Sequence, residues 1–221
     1  MKKIIVLLFA ALFSASLSYA QEGPEPDDFG GWGDIQLTKS FGSGLFTSFR
    51  AEYRCNSDWT GLDLWFVRPT LGYKFCNWLS AGICYDYLQR SADLQHRGIA
   101  FITGTLKSGQ LSASIREMYV RTYSFADSRN SEESGASSAG LSVSNTLRSR
   151  LMVQYTDPAT GVKPYLSIEM FTWKSWQNTR HYVGTIVPLS DRFNLDLFYL
   201  YLTRSAGLAE HVLGAGLNIV L

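Results

Sequence analysis

The sequence predicts an all-β protein: a transmembrane, antiparallel, up-and-down β-barrel of ten to twelve strands, with tight periplasmic turns and longer extracellular loops. Three observations lead to this fold class. The chain begins with a secretory signal, its segments alternate apolar and polar residues, and its connections alternate between tight turns and longer loops. A strand of about ten residues, tilted at about 45°, crosses the hydrocarbon core of a bilayer.

The N-terminus has the three parts of a signal peptide. Lys2 and Lys3 supply positive charge, residues 4–17 are apolar, and Ser18 and Ala20 stand where a signal peptidase reads small side chains. We expect residues 1–20 to be cleaved after export through the Sec pathway, and the mature protein to reach the outer membrane. The alternative is a retained membrane anchor, for which the apolar run is short.

Composition excludes several functions. The 221 residues are 46% apolar, 14% aromatic and only 18% charged. Loss of two lysines with the signal takes the formal charge from +1 to −1, which does not indicate a nucleic-acid partner. The sequence contains neither Cys-x-x-Cys nor His-x-x-x-His, so we predict no metal site and no cofactor. The three cysteines leave at least one unpaired and suit small buried apolar positions.

After a polar lead over residues 21–30, the barrel is expected to occupy residues 31–221. Eleven segments read as strands: 31–41, 44–54, 62–75, 79–90, 94–106, 110–123, 142–155, 163–173, 178–188, 193–204 and 209–221. Single-chain bacterial barrels generally have an even number of strands. We therefore expect ten or twelve, with one segment split in error or one strand missed near residues 21–30.

The connections indicate which end of the barrel faces the periplasm. Short segments rich in Gly, Ser, Asn and Asp predict tight periplasmic turns at 42–44, 76–78, 107–109, 157–161 and 190–192. The connections between them include 55–61 and the longest, 124–141, which we place outside the cell. The Ser, Gly, Glu and Asp content of 124–141 is typical of a solvated surface loop and contains no phosphate-binding pattern.

Alternation separates two faces in each strand. In 193–204, for example, Phe193, Leu195 and Leu197 oppose Asn194 and Asp196. A soluble barrel would reverse these faces, and alternation alone does not distinguish the two. Strand length, the export signal, the low charge and the aromatic strand ends favour the membrane. The adjacent charges of Arg116 and Glu117 break the pattern, and a bulge or an interface position is expected there.

The stretch L-R-S-R-L-M-V-Q-Y places Arg148 and Arg150 on the face opposite Leu147 and Leu151. An arginine facing the bilayer midplane costs about 2–4 kcal/mol, so these arginines are expected to face the lumen. The same register predicts a lumen-facing charged set with eight basic and four acidic members. They are Arg50, Glu52, Arg54, Arg68, Lys74, Asp86, Arg90, Arg148, Arg150, Glu169, Arg180 and Asp196.

Three functions are compatible with this lumen. The charged set forms either a salt-bridge network that fills the interior, which is a structural role, or a narrow pore that favours small anionic solutes. The third is an outer-membrane enzyme acting on lipid or envelope material, with His96, His181 and His211 as the available histidines. Because there is no Gly-x-Ser-x-Gly turn, no catalytic residue is assigned.

Several segments together resemble the bacterial family called domain of unknown function 2490. They are W-G-D-I-Q-L-T-K-S-F, F-R-A-E-Y-R, R-P-T-L-G-Y-K-F-C-N-W-L, Y-D-Y-L-Q-R, L-R-S-R-L-M-V-Q-Y and N-T-R-H-Y-V-G-T-I-V-P-L, within about residues 30–221. The resemblance implies a small outer-membrane barrel but no reaction. It also implies an acidic and an aromatic residue in one strand, which Glu169 and Phe171 match.

The expected partners follow from this location. They are outer-membrane lipid and lipopolysaccharide, the barrel-assembly machinery acting on the C-terminal strand, and small anionic solutes. Many outer-membrane proteins end on an aromatic residue, whereas this sequence ends at Leu221 after intact alternation. Because no polar seam is evident on the lipid face, a monomer is the default expectation.

Overall fold

The computed structural model of the protein describes residues 28–56, 61–90, 93–126, 141–205 and 209–221. These residues form eleven β-strands. The strands are β1 (Asp28–Ser40), β2 (Leu45–Asn56), β3 (Gly61–Cys76), β4 (Leu79–Arg90), β5 (Asp93–Ser108), β6 (Leu111–Ala126), β7 (Leu141–Tyr155), β8 (Lys163–Trp173), β9 (Ser175–Pro188), β10 (Phe193–Arg204) and β11 (Ala209–Val220). Every strand boundary lies within three residues of its predicted position. Within these ranges, no helix has the length and apolarity needed to cross a membrane.

The eleven strands form one closed barrel. Strands that are consecutive in sequence pair antiparallel, and β1 pairs with β11 in parallel, from Asp28 opposite Glu210 to Thr38 opposite Val220. An odd count requires this arrangement, because a meander reverses direction at each strand and its first and eleventh strands therefore run the same way. Eleven strands fall within the predicted ten to twelve, whereas the expected even count was wrong for the described residues, and the antiparallel pattern has one parallel pair.

The two ends of the barrel differ mainly in one connection. The end that carries Leu221 has the connections 41–44, 77–78, 109–110, 156–162 and 189–192; the other end has 57–60, 91–92, 127–140, 174 and 205–208. Gly44, Gly109 and Gly161 adopt positive φ at the first end, as tight turns require. The predicted signal peptide, most of the polar lead and residues 127–140 of the longest connection lie outside the described residues.

The outer wall of the barrel is apolar. Its exposed side chains include Ile83, Leu106 and Ile115, with exposed fractions of 61%, 73% and 57%. On β7, Leu147 and Leu151 are also exposed and alternate with inward-facing polar residues. Large apolar side chains in such numbers on a smooth outer surface suit the hydrocarbon of a bilayer rather than water.

Of the two alternatives predicted at Arg116 and Glu117, a bulge or an interface position, the bulge is absent. β6 keeps an unbroken register with β5 and with β7 through both residues. Simple alternation therefore sends Arg116 into the lumen and Glu117 to the outer wall. The expected bulge was wrong, because the chain accepts an acidic residue on its apolar face instead of shifting register.

Inward-facing aromatic rings lie close to glycines of the neighbouring strands. Phe46 covers Gly72 and Phe198 covers Gly214, and each ring lies where a Cβ on that glycine would be. Two other inward rings, those of Phe101 and Tyr165, lie over Gly82 and Gly184 in the same way. Glycine lets a ring approach the backbone of the neighbouring strand, which keeps these bulky side chains close to the wall.

Candidate functional site: an arginine-rich lumen

A cavity of about 400 Å³ runs inside the barrel and is lined by side chains from all eleven strands. That volume is in the range of small-molecule sites. Its charged lining consists of nine arginines and four carboxylates. They are Arg50, Arg54, Arg68, Arg90, Arg97, Arg116, Arg148, Arg150 and Arg180, with Asp34, Glu52, Glu169 and Asp196.

Most of the predicted lumen residues lie in this lining. Ten of the twelve line the cavity: Arg50, Glu52, Arg54, Arg68, Arg90, Arg148, Arg150, Glu169, Arg180 and Asp196. Asp86 is fully buried beneath Arg68, so it contributes charge without reaching the cavity surface. Lys74 is exposed near the end of β3 and does not line the cavity.

Sequence reasoning missed three charged lining residues: Asp34, Arg97 and Arg116. Arg97 lies on β5 and Arg116 on β6, and their inward-facing neighbours include Ile99 and Met118, which are both buried. Both faces of these strands are therefore partly apolar, and the alternation that identified the other arginines is blurred there. The signal that could have identified Arg97 is its two-residue spacing from Gln95, which places both side chains on the same face of β5.

The charged groups form a belt near mid-height of the barrel. Arg68 is the eighth of sixteen residues in β3, Arg148 the eighth of fifteen in β7, and Glu169 the seventh of eleven in β8. Arg90, by contrast, ends β4, and Arg204 ends β10, at the same end of the barrel. The charged groups are therefore concentrated near the centre of the barrel, at the height where the surrounding bilayer is most apolar.

One network in the belt joins β1 to β2. Arg50 contacts Asp34 at 3.1 Å and Glu52 at 2.7 Å, and Arg54 donates from Nε to Glu52 at 2.6 Å. The Arg54 guanidinium also lies over the Trp32 ring, with 3.7 Å between its Cζ and the ring centroid. Two arginines sharing one buried carboxylate satisfy that carboxylate fully and fix both guanidinium groups.

A second pair ties β3 to β4. Arg68 donates from Nε and Nη2 to the two oxygens of Asp86, at 2.5 and 2.7 Å. The carboxylate is inaccessible to water, and the guanidinium lies 5.0 Å from the Phe66 ring centroid. This two-pronged pairing is the strongest geometry that an arginine and a carboxylate adopt.

A third network centres on Glu169 of β8. Its carboxylate accepts a hydrogen bond from Arg148 at 2.8 Å and lies 3.6 Å from Arg180. The ring of Phe171 is 4.7 Å from the Arg148 Cζ and 4.5 Å from the Arg180 Cζ. The acidic and aromatic residues that the family resemblance singled out thus hold two arginines together.

Three arginines of the belt have no carboxylate within 4.0 Å among the residues that the structure describes: Arg97, Arg116 and Arg150. Neutral oxygens accept their hydrogen bonds instead. Arg97 donates to Gln95 at 2.6 Å, Arg116 to Thr103 at 3.0 Å and Arg150 to Ser167 at 2.8 Å. These arginines lie on the adjacent strands β5, β6 and β7, which therefore form a positively charged wall.

The carboxylates lie elsewhere in the lining. Asp34, Glu52, Glu169 and Asp196 belong to β1, β2, β8 and β10, and Asp196 accepts a hydrogen bond from Tyr165 at 3.0 Å. The lumen is consequently asymmetric, with a neutralised side and an uncompensated cationic side. Inside a lumen that is largely shielded from water, the electrostatic potential of that excess charge extends over several ångströms.

The histidines do not contribute to the lumen. His96, His181 and His211 lie on the outer wall, where His96 contacts the rings of Tyr87 and Phe125. His211 shares a hydrogen bond of 2.5 Å with the hydroxyl of Tyr199. In the described ranges no histidine lines the cavity, and no group of three His, Cys, Asp or Glu side chains is placed to hold a metal ion.

The model of the family described as “Protein of unknown function (DUF2490)” matches residues 29–207. The chain belongs to this family. The resemblance identified from the sequence is thereby confirmed. A search of curated proteins finds no match for this member of the family.

Two solved structures are similar to this DUF2490 protein. The NanC porin is 14% identical, with 85% of this chain and 99% of that chain covered and a TM-score of 0.51. The KdgM porin is 13% identical, with 76% of this chain and 81% of that chain covered and a TM-score of 0.46. The similarity to the first concerns the fold, and together with the apolar outer wall it confirms the predicted transmembrane β-barrel.

Proposed function

We propose that this DUF2490 protein is an outer-membrane barrel whose lumen is a narrow pore that prefers small anionic solutes. The observation that carries the proposal is the cationic wall formed by Arg97, Arg116 and Arg150, which face the cavity without a carboxylate partner in the described residues. Uncompensated arginines along a pore lower the barrier for anions and raise it for cations.

The paired networks define the width of the proposed pore. Arg54 and Arg180 both approach the Trp32 ring, at 3.7 and 5.1 Å from its centroid, although they arise from β2 and β9. Side chains from separate parts of the wall therefore meet at the belt and restrict the passage. A lumen of this kind suits small solutes, unlike the wide aqueous channel of a sixteen-stranded porin.

The outer membrane is the location that fits the barrel. Its outer wall is apolar, its strands are long enough to span a bilayer, and the sequence begins with the expected signal for export. The fold that it shares with the NanC porin supports the same location. Detection of the mature chain in isolated outer membranes, starting at Gln21, tests both the location and the cleavage.

Reversal potentials in planar bilayers test the pore. With refolded protein under a KCl gradient, we expect steady single-channel conductance and a reversal potential that reports preference for chloride. Replacing Arg97, Arg116 and Arg150 together with glutamine is expected to abolish that preference. Lys74→Gln is the matched control, because it removes one positive charge outside the cavity lining and is expected to leave the preference unchanged.

The second candidate is a structural barrel without conductance. The networks of Glu52, Asp86 and Glu169 favour it, since each contains an ion pair that joins neighbouring strands. A folded wild-type protein that stays silent in the bilayer would refute the pore and support this role. Silence that is relieved by removing belt arginines would show that the belt seals the lumen.

A further inference from the structure

Arg116 and Arg150 form an unneutralised cationic pair inside the lumen. The register of β6 and β7 places them directly opposite each other, and both side chains line the cavity. Like charges opposite each other in a sheet are destabilising. No carboxylate of the described chain lies within 4.0 Å of either guanidinium, so neither arginine has an ion-pair partner to offset this repulsion.

Neutral hydroxyl groups hold both guanidinium groups from behind. Thr103 accepts from Arg116 Nε at 3.0 Å, and Ser167 accepts from Arg150 Nε at 2.8 Å. Neither hydroxyl belongs to the cavity lining. A hydroxyl that occupies Nε fixes the guanidinium without cancelling its charge, and it leaves the terminal nitrogens for another acceptor. Within the described residues those nitrogens make one weak contact, in which Arg150 Nη2 lies 3.8 Å from the Met152 sulfur.

Aromatic rings orient the same pair. The Arg116 Cζ lies 5.7 Å from the centroid of Phe101, and the Arg150 Cζ lies 5.5 Å from that of Tyr182. Contact with a ring face restricts the plane of a guanidinium and partly desolvates it. The pair is therefore pre-organised, which reduces the entropy lost when a ligand binds.

We propose that Arg116 and Arg150 form a binding subsite for an oxyanion, the carboxylate or phosphate group of a small solute. The subsite rests on the proposed function, because its ligand enters through the lumen. Two guanidinium forks on adjacent strands bind an acceptor with several oxygens better than they bind chloride, which offers no directed pair of lone-pair positions. Bound oxyanion supplies the negative charge that the pair lacks.

The other arginines of the belt, apart from Arg97, have carboxylate partners in the described residues, which localises the subsite. Arg148 and Arg180 share Glu169, and Arg68 holds both oxygens of Asp86. A ligand at those positions would compete with buried ion pairs. Arg116 and Arg150 form the only cross-strand pair of lumen arginines in the described residues in which neither member has a carboxylate partner.

Binding of inorganic phosphate tests the subsite directly. The full mature chain, folded in detergent micelles, is titrated with phosphate by calorimetry at constant ionic strength, and saturable binding is expected. Arg116→Gln and Arg150→Gln are each expected to weaken it about tenfold or more, since each removes a charge-assisted donor. Arg204→Gln is the matched control and is expected to change binding less than about twofold, because Arg204 pairs with Glu210 at the barrel end.

The hydroxyl residues provide a test in which the charge is constant. Thr103→Ala and Ser167→Ala leave every arginine in place but release the Nε atoms, so we expect phosphate binding to weaken about three- to tenfold. Acetate titrated in parallel distinguishes a subsite that accepts carboxylates from one that requires the third oxygen of phosphate. Binding that is insensitive to all four substitutions, or absent from the wild-type protein, overturns the subsite.

Conductance separates this inference from the proposed pore. An anion-selective chloride current in a protein that binds neither phosphate nor acetate would retain the pore and refute the subsite. Saturable phosphate binding that Arg150→Gln weakens, in a barrel that never conducts, would retain the subsite and refute the pore. Phosphate that binds and also blocks the chloride current supports both.

Discussion

Glu169 lies directly opposite Arg150 in the register of β7 and β8, yet its carboxylate contacts Arg148 and Arg180 instead. Arg150 consequently bonds to Ser167 and keeps its charge uncompensated. Two arginines that are equivalent in the sequence pattern therefore have different roles. Arg148 belongs to a buried ion-pair network, and Arg150 belongs to the cationic wall.

The first prediction concerns the stability of that network. Glu169→Gln leaves Arg148 and Arg180 buried without a carboxylate, and breaking a buried pair on one side costs about 3–5 kcal/mol. We expect the free energy of unfolding to fall toward that range, measured by urea titration in lipid vesicles with tryptophan fluorescence. Glu210→Gln is the control, because its partner Arg204 is half exposed and the pair contributes about 1 kcal/mol or less.

The second prediction separates the two arginines by function. Arg150→Gln is expected to reduce anion preference in reversal-potential measurements with little loss of stability, since Ser167 is the only side-chain oxygen that it bonds in the described chain. Arg148→Gln removes a charged partner of buried Glu169 and is expected to destabilise the barrel by about 1.5–3 kcal/mol. Equal effects of both substitutions on stability and selectivity would contradict the distinction.

Alternation in the sequence predicted the strands and most of the lumen, because a period of two is a local property. All eleven strands and ten lining residues of the charged set follow from it. Which arginines are paired depends on register between strands, and alternation carries no information about that. Arg148 and Arg150 lie on the same face of β7, and only their positions relative to the residues of β8 distinguish them.

Two other features lay beyond local patterns. The parallel pairing of β1 with β11 depends on the total number of strands in the chain. The usual even number of strands in bacterial barrels predicts an antiparallel pair there instead. Alternation did not identify Arg97 and Arg116 as lumen residues, because inward-facing apolar residues such as Val120 give their strands two partly apolar faces. Apolar side chains inside a barrel reduce the contrast from which the inward face is identified.

The third prediction concerns the glycine–aromatic contacts of the inner wall. In Gly214→Ala the added methyl group would occupy the position of the Phe198 ring, which lies against the backbone of β11. We expect a loss of about 1–3 kcal/mol in the free energy of unfolding, the usual cost of overpacking. Gly33→Ala is the control on the adjacent strand, because nothing lies within 4 Å of a Cβ there. A Gly33→Ala variant as destabilised as Gly214→Ala would contradict the steric explanation.

The fourth prediction concerns Glu117 on the outer wall. It is the seventh of sixteen residues in β6, and its neighbours on the same face, Ile115 and Tyr119, are exposed. Its carboxyl group accepts a hydrogen bond from Ser149 at 2.6 Å, and Arg121 lies one position further along this face. An acidic group near mid-height on a lipid-facing wall costs free energy, although less than the 2–4 kcal/mol of a basic one.

Replacing Glu117 with leucine is therefore expected to stabilise the barrel by about 1–2 kcal/mol in phospholipid vesicles, as measured by urea titration. The gain should be smaller in detergent micelles, where water reaches the outer wall more readily. Ser149→Ala is the matched variant: it removes the hydrogen-bond donor, keeps the acidic group and should destabilise by about 1 kcal/mol. A destabilising effect of Glu117→Leu in vesicles would contradict this prediction. It would mean that the carboxyl group has a stabilising partner in the membrane and that the outer wall of β6 contacts more than lipid.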